Sequence, residues 1–291
     1  MTVVQDLDDA IGVIANGATV AVGGSLNAGQ PMALVRALIR ANVSDLTIVG
    51  GLTAGLGLDI VIAAGLARRL VCPYVGAEDL TPMPPAMRWA AEDGRLEIWE
   101  SDEGVHLTSL RACAQRLPFG TWVGGVGTAV VANPLIEAAV DEPTGKAFLK
   151  VRPLEVDVAL VWAEAADADG NILLWGPDLG DSLLRGAAAH RVVQVERIVS
   201  TETLGRTPDR VVPWQADVVV RAPFGTHPFA GSGLRVDETW IAEYVSEARG
   251  ARRDGDPDRL ARFLQTQILD CEDEDAYLAR IGMGRLRSLM C

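Results

Sequence analysis

The sequence predicts an α/β fold: an open, mostly parallel sheet with helices on both faces, ending in a helical C-terminal tail. Three observations predict it. Nearly half of the residues are apolar (49%) while only 5% are aromatic. Ala, Val, Leu and Gly dominate, the palette of parallel strands packed between helices rather than of a β-sandwich. Through the first half, short apolar runs ending in glycine alternate with amphipathic stretches, the pattern of strand–crossover–strand units. From about Glu238 onward the apolar spacing is helical. With no repeat, low-complexity segment or linker, residues 1–291 read as one domain.

The elements follow in order. Thr19 to Val22 is a strand closed by Gly23-Gly24. Pro31 suits a first helical position, where its missing N–H costs nothing. The helix then carries Leu34, Val35, Leu38 and Ile39 on one face and Arg36 and Arg40 on the other. Leu46 to Val49 is the next strand, closed by Gly50-Gly51, followed by a helix over Leu58 to Leu66 and a strand over Leu70 to Val75. A helix over Pro85 to Glu92 leads to a strand at Leu96 to Trp99, and a helix over Asp102 to Arg116 leads to one at Thr121 to Val126.

The later part differs. Val156 to Trp162 and Ile172 to Trp175 flank Asp167-Ala168-Asp169-Gly170-Asn171, whose Asp-Gly is a hairpin signal. A short helix over Asp181 to Ala189 and strands at Val192 to Val199 and Ala216 to Val220 come next. The helical tail is interrupted by the polar stretch from Gly250 to Pro257.

Composition excludes several functions. The formal net charge of −13 leaves no basic footprint for displacing counterions from phosphates, so nucleic acid is not an expected ligand. Cys72, Cys113, Cys271 and Cys291 are widely spaced, with Cys72 and Cys113 in apolar segments, as small core residues are. His106, His190 and His227 are too dispersed for a metal site. The N-terminal residues lack a basic segment leading into an apolar one, and no apolar run approaches the roughly 20 residues of a membrane span. A cytoplasmic protein is the expectation.

Four features bear on chemistry. The Val20 to Pro31 unit, Val-Ala-Val-Gly-Gly-Ser-Leu-Asn-Ala-Gly-Gln-Pro, brings Gly23, Gly24, Ser25 and Gly29 to a strand-to-helix turn. Glycines there let backbone approach a ligand, and a helix N-terminus favours an anion; a tight turn of a doubly wound fold explains the same residues. Gly51, Gly125 and Gly127 sit in similar turns, and neither a G-x-G-x-x-G fingerprint nor a P-loop is present. In Ser101-Asp102-Glu103-Gly104, Ser101 suits an N-cap and the acids suit the first turn. Alternatively, Glu103 is a carboxylate aimed at the carboxyl edge of the sheet, where open α/β sheets place ligands. His227 lies in Ala222-Pro223-Phe224-Gly225-Thr226-His227-Pro228, either fixing the chain's conformation or contacting a ligand. No G-x-S-x-G elbow exists.

Taken in order, these stretches resemble a known family. Gly23-Gly24 with Gly29-x-Pro31, Asp45-Leu46-Thr47, Leu117-Pro118-Phe119, Asp169-Gly170-Asn171, the His227-Pro228 element and Tyr277-Leu278 with Gly282-Met283-Gly284-Arg285-Leu286 are similar to the α subunits of class I coenzyme A transferases, the glutaconate enzyme above all. Ser25 departs from the family's usual Phe. The resemblance implies an α-type subunit that works with a β-type partner. The partner's glutamate attacks an acyl-CoA thioester, and CoA passes through a glutamyl thioester to a carboxylic acid. The α chain then supplies the other wall of the cleft, with its glycine loops (Gly23, Gly24, Ser25, Gly29, Gly51, Gly125, Gly127) and His227 as contacts. No permanently bound cofactor is implied, and coenzyme A enters as a thioester substrate. Asp102-Glu103-Gly104 with Ala114 to Phe119 also resembles the α subunit of the steroid-ring-cleaving CoA-ester hydrolase, which implies Glu103 as its catalytic carboxylate. Val123 stands where that relative carries Arg.

Overall fold

The computed structural model describes residues 2–176, 178, 180–256 and 258–291. The first part runs β1 (Val3–Gln5), α1 (Leu7–Ile11), β2 (Thr19–Val22), α2 (Met32–Arg40), β3 (Leu46–Gly50), α3 (Leu56–Ala63), β4 (Ala67–Val71), α4 (Pro85–Glu92), β5 (Glu97–Ile98) and α5 (Glu103–Ala114). Then come β6 (Gly120–Trp122), β7 (Ile136–Asp141), β8 (Lys146–Val151), β9 (Val156–Ala166), β10 (Ile172–Leu173), α6 (Asp181–Ala187) and β11 (Ala188–Ile198). The chain continues through α7 (Thr201–Leu204), β12 (Val211–Val212) and β13 (Val218–Arg221). It ends with α8 (Glu238–Arg253), α9 (Asp258–Leu264), α10 (Glu274–Ile281) and α11 (Met283–Leu289).

Eight strands form one parallel path in the order β1-β13-β11-β9-β2-β3-β4-β5. Alternation along each strand splits the core in two. Val20, Val22, Ile48 and Leu160 face the layer made by α2, α3, α4, α8 and α9. Ala21, Val49, Val161 and Val193 face the opposite layer, where Leu110 of α5 and Leu184 of α6 lie. Burial on both faces is why these strands are continuous apolar runs rather than alternating ones. The β9–β10 hairpin turns at the expected Asp-Gly, with Asp167 Oδ1 accepting from the Asp169 and Asn171 N–H groups, both at 3.0 Å.

Several expectations are corrected. The Thr121 to Val126 segment does not join the parallel sheet. Its strand, β6, pairs with β8, which pairs in turn with β7, in a separate antiparallel sheet of three strands. Those strands are half-exposed and carry little apolar signal, with Trp122 at 37% exposure and Val140 at 59%. Helix α3 begins and ends earlier than its apolar run suggests, and β4 covers Ala67–Val71 rather than Leu70 to Val75. Ser101 is not the N-cap of α5; Asp102 is, accepting from Val105 N–H at 2.7 Å.

The tail also differs. Helix α8 runs straight through Gly250, where the missing side chain makes room for the Arg259 guanidinium. That guanidinium is held by Glu247 at 2.6 and 3.0 Å. Pro257, the end of the expected interruption, lies outside the described residues.

Arg36 is not on a solvent face but 1% exposed. Its guanidinium donates to both oxygens of Glu274 on α10 and to the His227 carbonyl, and lies 3.8 Å from the centre of the Tyr277 ring. A buried charge needs such partners, and here the helical tail brings them.

Candidate active site

The sheet order creates the site. From β2 the chain winds outward to β3, β4 and β5, whereas β9, β11 and β13 lie on the other side of β2. The switch between β2 and β9 leaves a crevice beyond their carboxyl ends, because the connections diverge there. A cavity of about 130 Å³ occupies it, walled by Gly24, Ser25, Ala28 and Gly29 after β2, Trp162 of β9, and Leu174 to Gly176 after β10. Asp178, Asp181 and Arg185 close its polar end.

The β2–α2 loop is rigid by construction. Gly24 has φ +89°, and a Cβ there would lie 2.7 Å from the Gln30 backbone nitrogen, so only glycine fits. Ser25 and Ala28 exchange two backbone hydrogen bonds of 2.9 Å, and Ser25 Oγ bonds Thr53 Oγ1 at 2.7 Å. Buried Gln30 clamps this loop to the next one, donating to the Leu26 carbonyl and accepting from Gly57 N–H at 2.8 Å. The Gly23 N–H is taken by the Leu160 carbonyl at 2.8 Å. The Gly24 N–H donates to both oxygens of Asp181, at 3.0 and 3.2 Å.

Opposite the loop, Trp162 and Trp175 meet edge to face, with ring centres 6.0 Å apart. Trp162 is oriented by Glu196, which accepts from its indole N–H at 3.0 Å.

At the polar end, Arg185 is 2% exposed. Its Nε donates to Gln215 and its Nη2 to Asp178, each at 3.0 Å. Its Nη1 has no acceptor among the described residues. Burial pushes the Asp181 carboxyl up to about 6, against the pull of the Arg185 charge and the Gly24 N–H. Burial raises Asp178 too, but the Ser182 and Gly180 N–H groups and the charge of Arg185 outweigh it and hold that carboxyl below its ordinary range.

The residues expected from sequence fall into several places. Gly23, Gly24, Ser25 and Gly29 converge on the cavity, and Gly51 stands just behind, its ideal Cβ position 3.8 Å from the Gly24 carbonyl. Glu103 and Gly125 belong to a second cluster at the N-terminus of α5, where the ideal Cβ position of Gly125 is 3.4 Å from Asp102 Oδ2; Gly127 has open space around it and does not line the cavity. At the same N-terminus Trp122 packs onto Gly104, where a Cβ would fall 2.1 Å from the indole. Glu103 is exposed in that cluster and does not line the cavity. Helix α5 is tied to the sheet by His106, whose Nε2 lies 2.9 Å from the Gly50 carbonyl.

His227 is in neither place. It is fully buried, with Nδ1 2.8 Å from the Tyr277 hydroxyl and Nε2 3.0 Å from Asp237. Burial holds its pKa below the ordinary value, so it is neutral. Asp237 can only accept, which puts the proton on Nε2 and makes Tyr277 the donor to Nδ1. Its side chain is enclosed by the tail and does not line the cavity.

Asp178, Asp181, Arg185, Trp162 and Trp175 carry no distinguishing mark in the sequence. Only the cavity sets Asp178 and Asp181 apart. Among the described residues no group of acids, His and Cys could hold a metal ion, and no helix is long and apolar enough to cross a membrane.

Comparison with known proteins places this frame. The signature of the family described as Coenzyme A transferase matches residues 4–214. The chain is 33% identical over 288 residues to the cholesterol ring-cleaving hydrolase IpdA subunit of Rhodococcus jostii (strain RHA1), covering 92% of each chain. It is 28% identical to the A-type chain of glutaconate CoA-transferase from Acidaminococcus fermentans, covering 99% of this chain and 95% of that one. The crystal structure of that transferase superposes with a TM-score of 0.91 at 26% identity, again over 99% and 95% of the two chains. A variant of the decarboxylase AibA/AibB superposes with a TM-score of 0.79 at 30% identity, over 91% of this chain and 97% of that one. The switch-point crevice is thus set in the fold of the glutaconate enzyme, and the chain belongs to the coenzyme A transferase family.

Proposed function

We propose that this chain is the α-type subunit of a heteromeric coenzyme A transferase, moving CoA between an acyl-CoA thioester and a carboxylic acid, with the nucleophilic glutamate on a β-type partner. In this reading residues 1–291 act as one unit in the cytoplasm, and coenzyme A is a substrate rather than a resident cofactor. The observation that carries it is the small switch-point cavity, which has a binding wall and no free nucleophile. Both oxygens of Asp181 accept from Gly24, and Asp178 is committed to Arg185 and the start of α6. Carboxylates held by hydrogen bonds and by Arg185 are poorer nucleophiles than a free one, which supports a nucleophile from outside this cavity.

The chemistry then divides between two chains. The partner's glutamate attacks the thioester carbonyl and expels the CoA thiolate, leaving an acyl-glutamyl anhydride. The thiolate attacks the glutamyl carbonyl and releases the first acid, and the same steps run in reverse onto the acceptor. This chain holds the acyl group against Trp162 and Trp175 and keeps water from the anhydride. The purified chain alone is expected to be inactive. With its partner and acyl-CoA, an adduct sensitive to borohydride and hydroxylamine should appear on the partner. An active complex without that adduct overturns the reading.

A second reading is ring-opening CoA-ester hydrolysis, supported by the exposed Glu103 at the carboxyl edge and by the similarity to the IpdA subunit. Glu103→Gln separates the two. Loss of a general base should slow a hydrolase by about 10²–10⁴-fold, whereas in the transferase the partner adduct still forms.

A further inference from the structure

We infer that Glu196 is a positioning residue of the switch-point cavity, its carboxylate holding the Trp162 wall in place by joining it to the turn at Phe224. This rests on the reading of the cavity as an acyl-binding wall and names a residue outside its lining on which that wall depends.

The first observation is where the charge stands. Strand β11 is buried on both faces, yet Val192-Val193-Gln194-Val195-Glu196 carries two polar residues on one of them. Gln194 pairs with Trp162 of β9, so Glu196, two residues on, shares the face of Trp162. Gln194 holds the start of α2, accepting from the Ala33 and Leu34 N–H groups at 3.1 and 3.2 Å. Glu196 instead spans two elements: Oε1 accepts from the Trp162 indole at 3.0 Å and Oε2 from the Phe224 N–H at 2.7 Å. Burial pushes its carboxyl up, and only these two N–H groups oppose that; among the described residues no cation pairs with it. A desolvated carboxylate without a counter-charge costs stability, a cost expected where function requires the geometry.

The second observation is strain. Phe224 has φ +59°, a conformation that a bulky residue adopts at a cost and keeps only where its surroundings impose it. The charge-assisted bond from its N–H to Glu196 is part of that imposition. The third observation is closure. Beyond the turn, the Ala230 carbonyl accepts from the Gly29 N–H and the Ala230 N–H donates to the Asn27 carbonyl, both at 2.8 Å. Trp162 lies over Gly29, where a Cβ would be 3.7 Å from the ring. Trp162, Glu196, Phe224, Ala230 and Gly29 thus close a circuit in which Trp162 and Gly29 are cavity wall. Glu196 is its one ionisable member.

The test uses the isotope-labelled full chain by NMR, and then its complex with the β-type partner by kinetics. Glu196→Gln keeps the size of the side chain but offers one acceptor oxygen, so one of the two N–H groups meets an NH₂ donor. The Trp162 indole resonance, identified by its loss in Trp162→Phe, and the Gly29 amide across the circuit should both shift. Glu202→Gln, at an exposed site on α7, should move neither. Trp162→Phe should shift the Phe224 amide, which tests the circuit with Glu196 intact. In the complex, Glu196→Gln should raise KM for pentanoyl-CoA about ten-fold and leave kcat within about two-fold, because a binding wall is displaced and no reacting group is lost. Unmoved Trp162 and Gly29 resonances, an unmoved Phe224 amide in Trp162→Phe, or a fall in kcat at unchanged KM overturns the inference. An inactive wild-type complex sinks the transferase reading instead, and the resonances still decide whether Glu196 holds the wall.

Discussion

Two buried guanidiniums, Arg36 and Arg185, are alike in burial and differ in how completely their own nitrogens are satisfied. Around Arg36 every donor nitrogen is used: Nε and Nη2 by Glu274, Nη1 by the His227 carbonyl, with Tyr277 stacked beneath. The neighbouring carboxylate is equally saturated, since Asp237 accepts from His227, Arg285 and the Trp240 N–H. Around Arg185 one nitrogen is left over and a carboxyl is desolvated beside a cavity. A satisfied guanidinium rigidifies, and here it fastens the helical tail to α2 and to the loop after β13; an unsatisfied one is where function is sought.

The largest expected effect breaks the complete network. Glu274→Ala leaves the Arg36 charge buried without its partner and should cost about 3–5 kcal/mol, measured by urea denaturation. A loss under about 1 kcal/mol would mean that the network is not what holds the tail.

The second effect contrasts the two regions by pH. Burial pushes Asp237 upward, but hydrogen bonds from His227 and Arg285 outweigh it and hold that carboxyl far below the ordinary range. A depressed folded pKa contributes stability present above the unfolded value of 3.8 and lost as pH falls towards the folded one. Asp181 has the opposite sign. Its folded value of about 6 lies above the unfolded 3.8, so its contribution is full below 3.8 and is lost as pH rises through about 6. Acid unfolding should therefore lose its steepest part in Asp237→Asn and keep it in Asp181→Asn. The reverse pattern would exchange the roles of the two regions.

The smallest effect sharpens the incomplete side. At pH 7.5 Asp181→Asn removes a desolvated charge while retaining an acceptor for Gly24, and should stabilise the fold by about 1 kcal/mol. The gain should shrink at pH 5, where the wild-type carboxyl is largely protonated. Acyl binding should weaken in the same variant, the usual exchange of stability against a functional site.

Legibility in the sequence follows burial. The doubly buried strands β2, β3, β9 and β11 are readable because both faces are apolar, and the span expected for α4, Pro85–Glu92, matches to the residue. The three-stranded sheet is invisible beyond β6 because exposed strands lack that signal. On the candidate site, the Gly-Gly loop is legible through residues only a tight turn requires. Asp181 and Arg185 are not, since acids and bases flanking a short helix have an adequate local explanation.

Arg36 shows the same limit: helical spacing puts it opposite the apolar face, and only α10, arriving from the far end of the chain, makes that position interior. Helix starts tell a similar story. The N-terminus of α2 is capped by Gln194 of β11, and that of α4 by Asp59 of α3, neither of them adjacent in sequence.

The strands, the glycine turns and the family are thus written locally in the chain, because they depend on hydropathy period and on backbone conformations that few residues tolerate. Three placements come only from the folded arrangement: His227 is buried beneath the tail, Glu103 stands apart from the cavity, and Asp181 and Arg185 meet at its polar end. Desolvation and hydrogen-bond completeness depend on which distant segments converge on a side chain, and local spacing carries no record of that.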